Sequence, residues 1–188
     1  MAGQIIVLNG VSSSGKSSLA QALQARIKDP SIHWCIDAYL SWFQEDLWDQ
    51  KDVVARSWTA MIRGFHAAAG AIARCGVCVI LDDVLENDPP WLDHFCEAYQ
   101  GLYVVLVGLH CPLDILEERE HARPERRAGM ARIQFPQVHS QTMYDLEFDS
   151  SILSTEQMAD AIIPWIDNPR RTTVIDQLRA GEAAAHDP

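Results

Sequence analysis

The stretch Gly10-Val11-Ser12-Ser13-Ser14-Gly15-Lys16-Ser17 reads G-x-x-x-x-G-K-S without a gap, and its setting constrains the whole fold. Before it, Gln4–Asn9 is a short apolar run with β-branched residues, suited to a buried parallel strand. After it, Leu19, Leu23 and Ile27 recur at intervals of four and predict a helix over Lys16–Ile27. A strand, a glycine-bearing loop and a helix in that order fold the backbone into a concavity whose N–H groups point at phosphate oxygens. The helix adds its positive dipole end at the same spot. Lys16 is then expected to reach the β- and γ-phosphates, and the Ser17 hydroxyl to ligate Mg²⁺. The run Gly10 to Ser18 is read as a nucleotide triphosphate site, with ATP and Mg²⁺ as the expected cofactors.

Further strands follow with acids at their ends. Ile32–Ile36 predicts a second strand that delivers Asp37 at its carboxyl end, the side on which open parallel sheets bind ligands. Asp37 there can take a proton from a substrate hydroxyl, or it can cap the helix that follows; position alone leaves both open. Val77–Leu81 runs into Asp82 and Asp83, the pattern of a strand whose terminal acid holds Mg²⁺, with Asp82 the first choice and Asp83 the second. Leu102–Leu109 is apolar throughout, as a central parallel strand should be. Asp145–Asp149 alternates and predicts a fifth strand at the edge. The resulting fold class is α/β, three layers with a five-stranded parallel sheet between helices, an order that resembles a small P-loop kinase with an arginine-bearing lid.

Between the strands, residues 38–52 carry Tyr39, Trp42, Phe43 and Trp48 among Glu45, Asp46, Asp49 and Asp52. These rings can line a pocket for an apolar acceptor, or pack on the sheet as core. Val54, Trp58, Met61, Phe65, Ala69 and Ile72 predict a helix over 53–74, so that 38–75 forms a helical acceptor-side segment. Asp88 is expected to cap a helix that opens at Pro89-Pro90, with Trp91, Phe95 and Tyr99 inward. Residues 119–132 hold five arginines, Arg119, Arg123, Arg126, Arg127 and Arg132, interrupted by Pro124 and Gly129. Guanidinium forks suit phosphate, which suggests a lid closing over the triphosphate; the alternative is a solvated face with Arg119 and Arg123 paired to neighbouring glutamates. Ser154-Thr155-Glu156-Gln157 is a capping box for the last core helix, Gln157–Asp167.

A chain of 188 residues fits one domain, read here as 1–167, with 168–188 as a polar, Ala-rich appendage. The formal net charge of −11 argues against nonspecific attraction to nucleic acid or anionic membrane. The apolar start is too short for a signal sequence and no run approaches a membrane span, so a cytoplasmic protein is expected. Its five cysteines form no disulfide framework, and Cys75-Gly76-Val77-Cys78 leads into a strand, which suggests small buried side chains over a redox pair. The sequence is compatible with a homo-oligomer and predicts no nucleic-acid or membrane partner.

The chain resembles chloramphenicol phosphotransferase and its relatives over about residues 4–166. The resemblance rests on Ile6–Gly10 with Ser12–Ser17, Ile36-Asp37, Ile80–Val84, Val107–Cys111, Glu118-Arg119-Glu120, Ala122-Arg123, Arg126, Gly129–Ala131, Val138-His139 and Tyr144–Asp149. It implies transfer of the ATP γ-phosphate to a hydroxyl of a small molecule, with Asp37 as base. It assigns Lys16, Ser17 and the lid arginines Arg119, Arg123, Arg126 and Arg127 to the phosphates, and Lys16, Arg123 and Arg126 also to catalysis. Residues 38–60 depart from the family pattern, being Trp-rich and acidic. With only Lys51 and Arg56 as cations over 38–62, the segment suits a neutral or cationic acceptor. Other readings are a metabolic kinase of nucleotide, nucleoside or shikimate type, and an ATP-binding switch without catalysis.

Overall fold

The computed structural model describes residues 3–85, 91–123, 129–139, 143–169 and 171–185. Five strands, β1 (Gln4–Gly10), β2 (Ser31–Cys35), β3 (Cys78–Asp83), β4 (Tyr103–His110) and β5 (Leu146–Asp149), form one all-parallel sheet in the order β2-β3-β1-β4-β5. The helices are α1 (Lys16–Gln24), α2 (Ile36–Leu40), α3 (Lys51–Arg74), α4 (Trp91–Ala98), α5 (Leu113–His121), α6 (Met130–Gln134), α7 (Thr155–Asp167) and α8 (Val174–Ala185). The sequence-based expectation of an α/β fold with five parallel strands between helices is what the chain adopts.

Alternation along the central strands decides the two faces. Ile6, Leu8, Ile80 and Val107 meet Leu19 and Leu23 of α1 and Met158 and Ile162 of α7. Val7, Val79, Leu81 and Leu106 point the other way, onto Phe65 of α3, Phe95 and Tyr99 of α4, and Ile175 of α8. Both faces of β1, β3 and β4 are thus covered, which is why these strands read as unbroken apolar runs.

Several boundaries differ from the sequence reading. Helix α1 ends at Gln24, because the Arg26 and Ile27 amides both turn back to the Leu23 carbonyl. The expected cap box does open α7: Ser154 Oγ accepts from the Gln157 amide at 3.2 Å, and Gln157 Oε1 accepts from the Ser154 amide at 2.9 Å. The stretch from 168, read as an appended short helix and tail, forms α8, which packs against the core. Val174 and Ile175 are buried, Arg179 donates to the Tyr99 carbonyl at 2.7 Å, and the Val174 amide donates to Asp145 Oδ1 at 2.8 Å. Among the described side chains of α8, Ile175 and Leu178 pack against the core and Val174 is buried, too few to stand out in an Ala-rich stretch. The C-x-x-C pair splits: Cys78 is buried and Cys75 exposed, contrary to the expectation that both are inside. Asp88 and Pro89-Pro90, expected to open α4, lie outside the described residues. No helix among the described residues is long and apolar enough to cross a membrane.

Helix α3 crosses α4 closely at Gly70, where an added Cβ would run into the Ala98 carbonyl. In Gly70→Ala the gain in helix propensity is only about 1 kcal/mol, whereas forcing packed backbones apart costs about 1–3 kcal/mol beyond that. Urea denaturation should therefore show a net loss of stability, with an unchanged slope on denaturant.

Candidate active site

The loop between β1 and α1 is built on two left-handed residues, Ser13 at φ 66° and Gly15 at φ 98°. A glycine fits the second at no steric cost. Gly10 serves a different need: a side chain there would sit 2.7 Å from the Leu109 carbonyl of β4. The Ser14 amide closes the turn on the Val11 carbonyl at 3.1 Å. Lys16 folds over this loop, its Nζ donating to the Gly10 carbonyl at 2.7 Å and the Val11 carbonyl at 3.2 Å. Ser13 Oγ and Ser14 Oγ are buried with no hydrogen-bond partner among the described residues. Buried hydroxyls without partners beside a buried ammonium form a cradle that an anion with several acceptor oxygens fits.

A cavity of about 440 Å³ opens from this cradle. Ser12, Ser13, Gly15, Lys16, Ser17 and Ser18 form its floor. Ile36 and Asp37 of α2 form one wall and Asp82 another, while Arg123, Met130 and Gln134 close it from the α5–α6 side. Gly10, Val11 and Ser14 shape the loop but do not line this space. Asp37 is exposed and lies in the first turn of α2, whose flanking N-terminal residue is Cys35 in extended conformation. It is thus inside the helix and not at its cap position.

The two acids at the end of β3 separate. Asp82 Oδ2 accepts from Ser17 Oγ at 2.7 Å and lies 3.1 Å from His33 Nε2. Burial pushes its carboxyl up, but the His33 hydrogen bond, the Lys16 charge and the Ser17 hydrogen bond outweigh that and hold it below its ordinary value. The same contact, chiefly, lifts His33 to about 9. Asp83 faces away, bonded to buried His66 at 2.9 Å and to the Val84 amide at 2.8 Å. Ser17 and Asp82 therefore offer adjacent oxygen donors at the cradle, a set that fits a hard cation such as Mg²⁺. Asp83, the second choice from sequence, is not brought to them: alternation along β3 turns it onto the α3 face.

The arginines also divide. Arg123 lines the cavity. Arg119 does not; its fork donates to the Ser150 carbonyl at 2.8 Å and to Ser150 Oγ at 3.2 Å, behind β5. Arg132 is held by Glu117 in a two-point pair at 2.7 and 2.9 Å. Arg126 and Arg127 lie outside the described residues. Sequence reasoning passed over Gln134 and read Glu120 only as an ion-pair partner for Arg119 and Arg123. Buried Glu120 accepts from the Gly129 and Ala131 amides at 2.7 and 3.1 Å and so caps α6, while Gln134 Oε1 accepts from the Ser12 amide at 2.8 Å. Both act across nine residues or more, beyond the reach of any local capping pattern.

The aromatic segment gives a mixed outcome. Tyr39 joins Trp34 and Phe65 against the core, with ring centroids 5.3–6.3 Å apart. Trp42 stays 68% exposed and Trp48 39% exposed, and neither lines the cavity.

Beyond Val11 a second cavity of about 330 Å³ lies between His110, Phe135 and His139. His139 has φ 77°, and its Nδ1 lies 2.6 Å from the Tyr144 hydroxyl. Burial, then the neighbouring His110, pushes its pKa down to about 4. Because this folded value lies below the 6.5 of the unfolded chain, the neutral ring stabilises the fold fully above 6.5 and progressively less as pH falls toward 4. Asn tolerates left-handed φ, so His139→Asn should fold yet lose this dependence. Denaturation at about pH 7 and about pH 5 should show a smaller drop in stability for the variant than for the wild type.

Comparison with known proteins agrees with this geometry. Residues 3–166 match the family model described as chloramphenicol phosphotransferase-like protein. A protein of Mycobacterium tuberculosis (strain ATCC 25618 / H37Rv), named "Putative O-phosphotransferase", is 30% identical over 181 residues, covering 84% of this chain and 79% of the relative. Among solved structures, a sugar kinase from Janibacter sp. HTCC2649 superposes with a TM-score of 0.66 at 18% identity, covering 88% of this chain and 95% of that one. The APS kinase of Mycobacterium tuberculosis, solved with AMPPNP and APS, superposes with a TM-score of 0.60 at 18% identity, covering 89% and 99%. At such identities the solved structures establish a shared kinase fold.

Proposed function

The chain belongs to the chloramphenicol phosphotransferase-like family and is a phosphotransferase of the kinase type, and from that premise we propose that it moves the γ-phosphate of ATP to a hydroxyl of a small, partly apolar molecule. The observation that carries this reading is that Asp37 lines the same cavity as Lys16 and Ser17. A hydroxyl held there meets a carboxylate on one side and the phosphate cradle on the other.

In this reading Asp37 takes the proton of the acceptor hydroxyl as its oxygen bonds to the γ-phosphorus and the bond to the bridging oxygen of ADP breaks. Lys16 and the amides of Ser13, Gly15, Lys16 and Ser17 hold the phosphate oxygens in place. Arg123 reaches charge that grows on the transferred group as the α5–α6 segment closes. Ser17 and Asp82 would hold magnesium, which neutralises phosphate charge when bound. The second cavity, across Val11, leaves room for the rest of the nucleotide. Glu45, Asp46, Asp49 and Asp52 are all exposed on the 3₁₀ turn and the start of α3, which favours a neutral or cationic acceptor, an antibiotic among them. The protein is proposed to work in the cytoplasm as a single catalytic domain that includes α8, with no nucleic-acid or membrane partner.

A coupled ATP-turnover assay against hydroxylated compounds, chloramphenicol included, tests this. Turnover should need an acceptor and should favour neutral or amine-bearing alcohols over carboxylates; acceptor-independent hydrolysis alone would overturn the reading. Asp37→Asn keeps shape but cannot take a proton, so kcat should fall at least ~10²-fold with ATP affinity nearly unchanged. If Asp37 were structural, Asn would serve nearly as well. Arg123→Ala should lower kcat and kcat/KM together, as expected of a contact made in the transition state; a raised KM for ATP at constant kcat would return Arg123 to a binding role only.

A further inference from the structure

Edge strand β2 presents two side chains that phosphoryl transfer does not use. Alternation puts His33 and Cys35 on one face of the strand, and the parallel register sets Cys35 directly beside Asp82 of β3. His33 Nε2 lies 3.1 Å from Asp82 Oδ2. One ligand atom from each of His33, Cys35 and Asp82 falls within 4.8 Å of the other two. Their rigid backbone is shared strand, so the three donors are held together by the sheet and not by a loop.

The donor chemistry discriminates among cations. Magnesium takes oxygen ligands, and a thiolate with an imidazole is a poor set for it. Zinc takes one nitrogen, one sulfur and one oxygen readily, at about 2.0–2.1, 2.3 and 2.0–2.2 Å. Those bond lengths imply donor-to-donor edges of roughly 3.3–3.8 Å in a tetrahedron, so small side-chain rotations bring the three atoms into range. The His33 side chain is 20% exposed at the sheet edge, which leaves an entry path and room for a solvent ligand in the fourth position.

We propose that His33, Cys35 and Asp82 form a binding site for a zinc-class divalent ion, with water completing the tetrahedron. An ion there draws on the carboxylate that otherwise accepts from Ser17. Zinc occupancy and the Ser17–Asp82 magnesium role therefore exclude each other. Binding itself is independent of the phosphotransferase reading; the competition rests on it.

Cobalt(II) is the probe, because it takes the zinc geometry and reports a bound thiolate by a near-ultraviolet charge-transfer absorption. Reduced, metal-free full-length protein should bind one cobalt per chain with that absorption, and zinc should bleach it. Cys35→Ser should abolish the band, and His33→Gln should weaken cobalt binding at least about tenfold. Cys75→Ser, which removes the exposed cysteine, should leave the band intact. Thermal melts establish that each variant is folded. Absence of the band in the wild type, or its survival in folded Cys35→Ser, overturns the proposal. Once an acceptor is in hand, Cys35→Ser should turn over like wild type without zinc and need at least about tenfold more zinc for half-inhibition. Equal zinc sensitivity of the two proteins would overturn the competition. A protein that binds cobalt as described but shows no phosphotransfer would count against the enzymatic reading and leave the metal site standing.

Discussion

Leu8 of β1 stands beside Asp82 of β3, and Cys35 of β2 stands on the other side of it. This register governs the chemistry of the site because side chains alternate along a strand. With Asp82 on the α1 face, its carboxylate meets the Ser17 hydroxyl at the start of that helix, and Asp83 meets His66 inside the opposite layer. A slip of one residue would exchange the two acids and break both contacts. The core prevents that slip: Ile80 and Leu8 are fully buried on one face, Val79, Leu81 and Val7 on the other. Moving any of them to the wrong layer would reverse the whole pattern of burial. Hydrophobic packing over the full sheet thus positions a single carboxylate at the phosphate cradle.

The arginine-rich block shows how charge of one sign is distributed among different tasks. Arg132 is neutralised by Glu117 at the surface, a pairing worth little to stability. Arg119 ties α5 to Ser150, just past the end of β5. Arg123, just past α5, is the described arginine that reaches the cavity. Return of the chain is fixed by Glu120, whose buried carboxylate holds the first amides of α6, and by Gln134, which reaches back to Ser12. These contacts fix α5 and α6 on either side of Arg123, so the guanidinium at the cavity is held by elements tied to β5 and to the Gly10–Ser17 loop.

The phosphate side of this site was legible in the sequence because local rules produce it. A strand, a G-x-x-x-x-G-K-S loop and a helix must form a cradle together, and hhhhDD after a P-loop supplies the acid. Periodicity likewise found α3 from Met61, Phe65 and Ala69. What escaped was non-local. Which of Asp82 and Asp83 faces the loop depends on strand register, which no spacing reveals. His33 and Cys35 sit two apart on a strand, so their shared face was readable, but their meeting with Asp82 requires knowing that β2 neighbours β3. Glu120 and Gln134 act across the lid segment. The packing of α8 was hidden because Val174, Ile175 and Leu178 are few among polar and alanine residues.

The carboxyl ends of the central strands are further tied by Asn9 and Tyr144, which reach His139 at the second cavity. Asn9 Oδ1 accepts from the Leu85 amide at 2.8 Å, and its Nδ2 donates to the Tyr144 hydroxyl at 2.6 Å. That hydroxyl is then left to donate to His139 Nδ1, which requires the neutral imidazole that burial already favours. The Tyr144 ring also covers Gly108, where a Cβ would meet it at 2.8 Å. One tyrosine therefore joins the ends of β1 and β4 and the segment before β5, and Asn9 adds the loop after β3. Along residues 38–52 the opposite holds: Trp42 and Trp48 are exposed and the acids around them are solvated. Substitutions there should cost the fold little, whereas substitutions in the Asn9–Tyr144–His139 network remove hydrogen bonds at the strand ends beside the Gly10–Ser17 loop. Rigidity at the strand ends and latitude along residues 38–52 follow from the same distribution of buried hydrogen bonds.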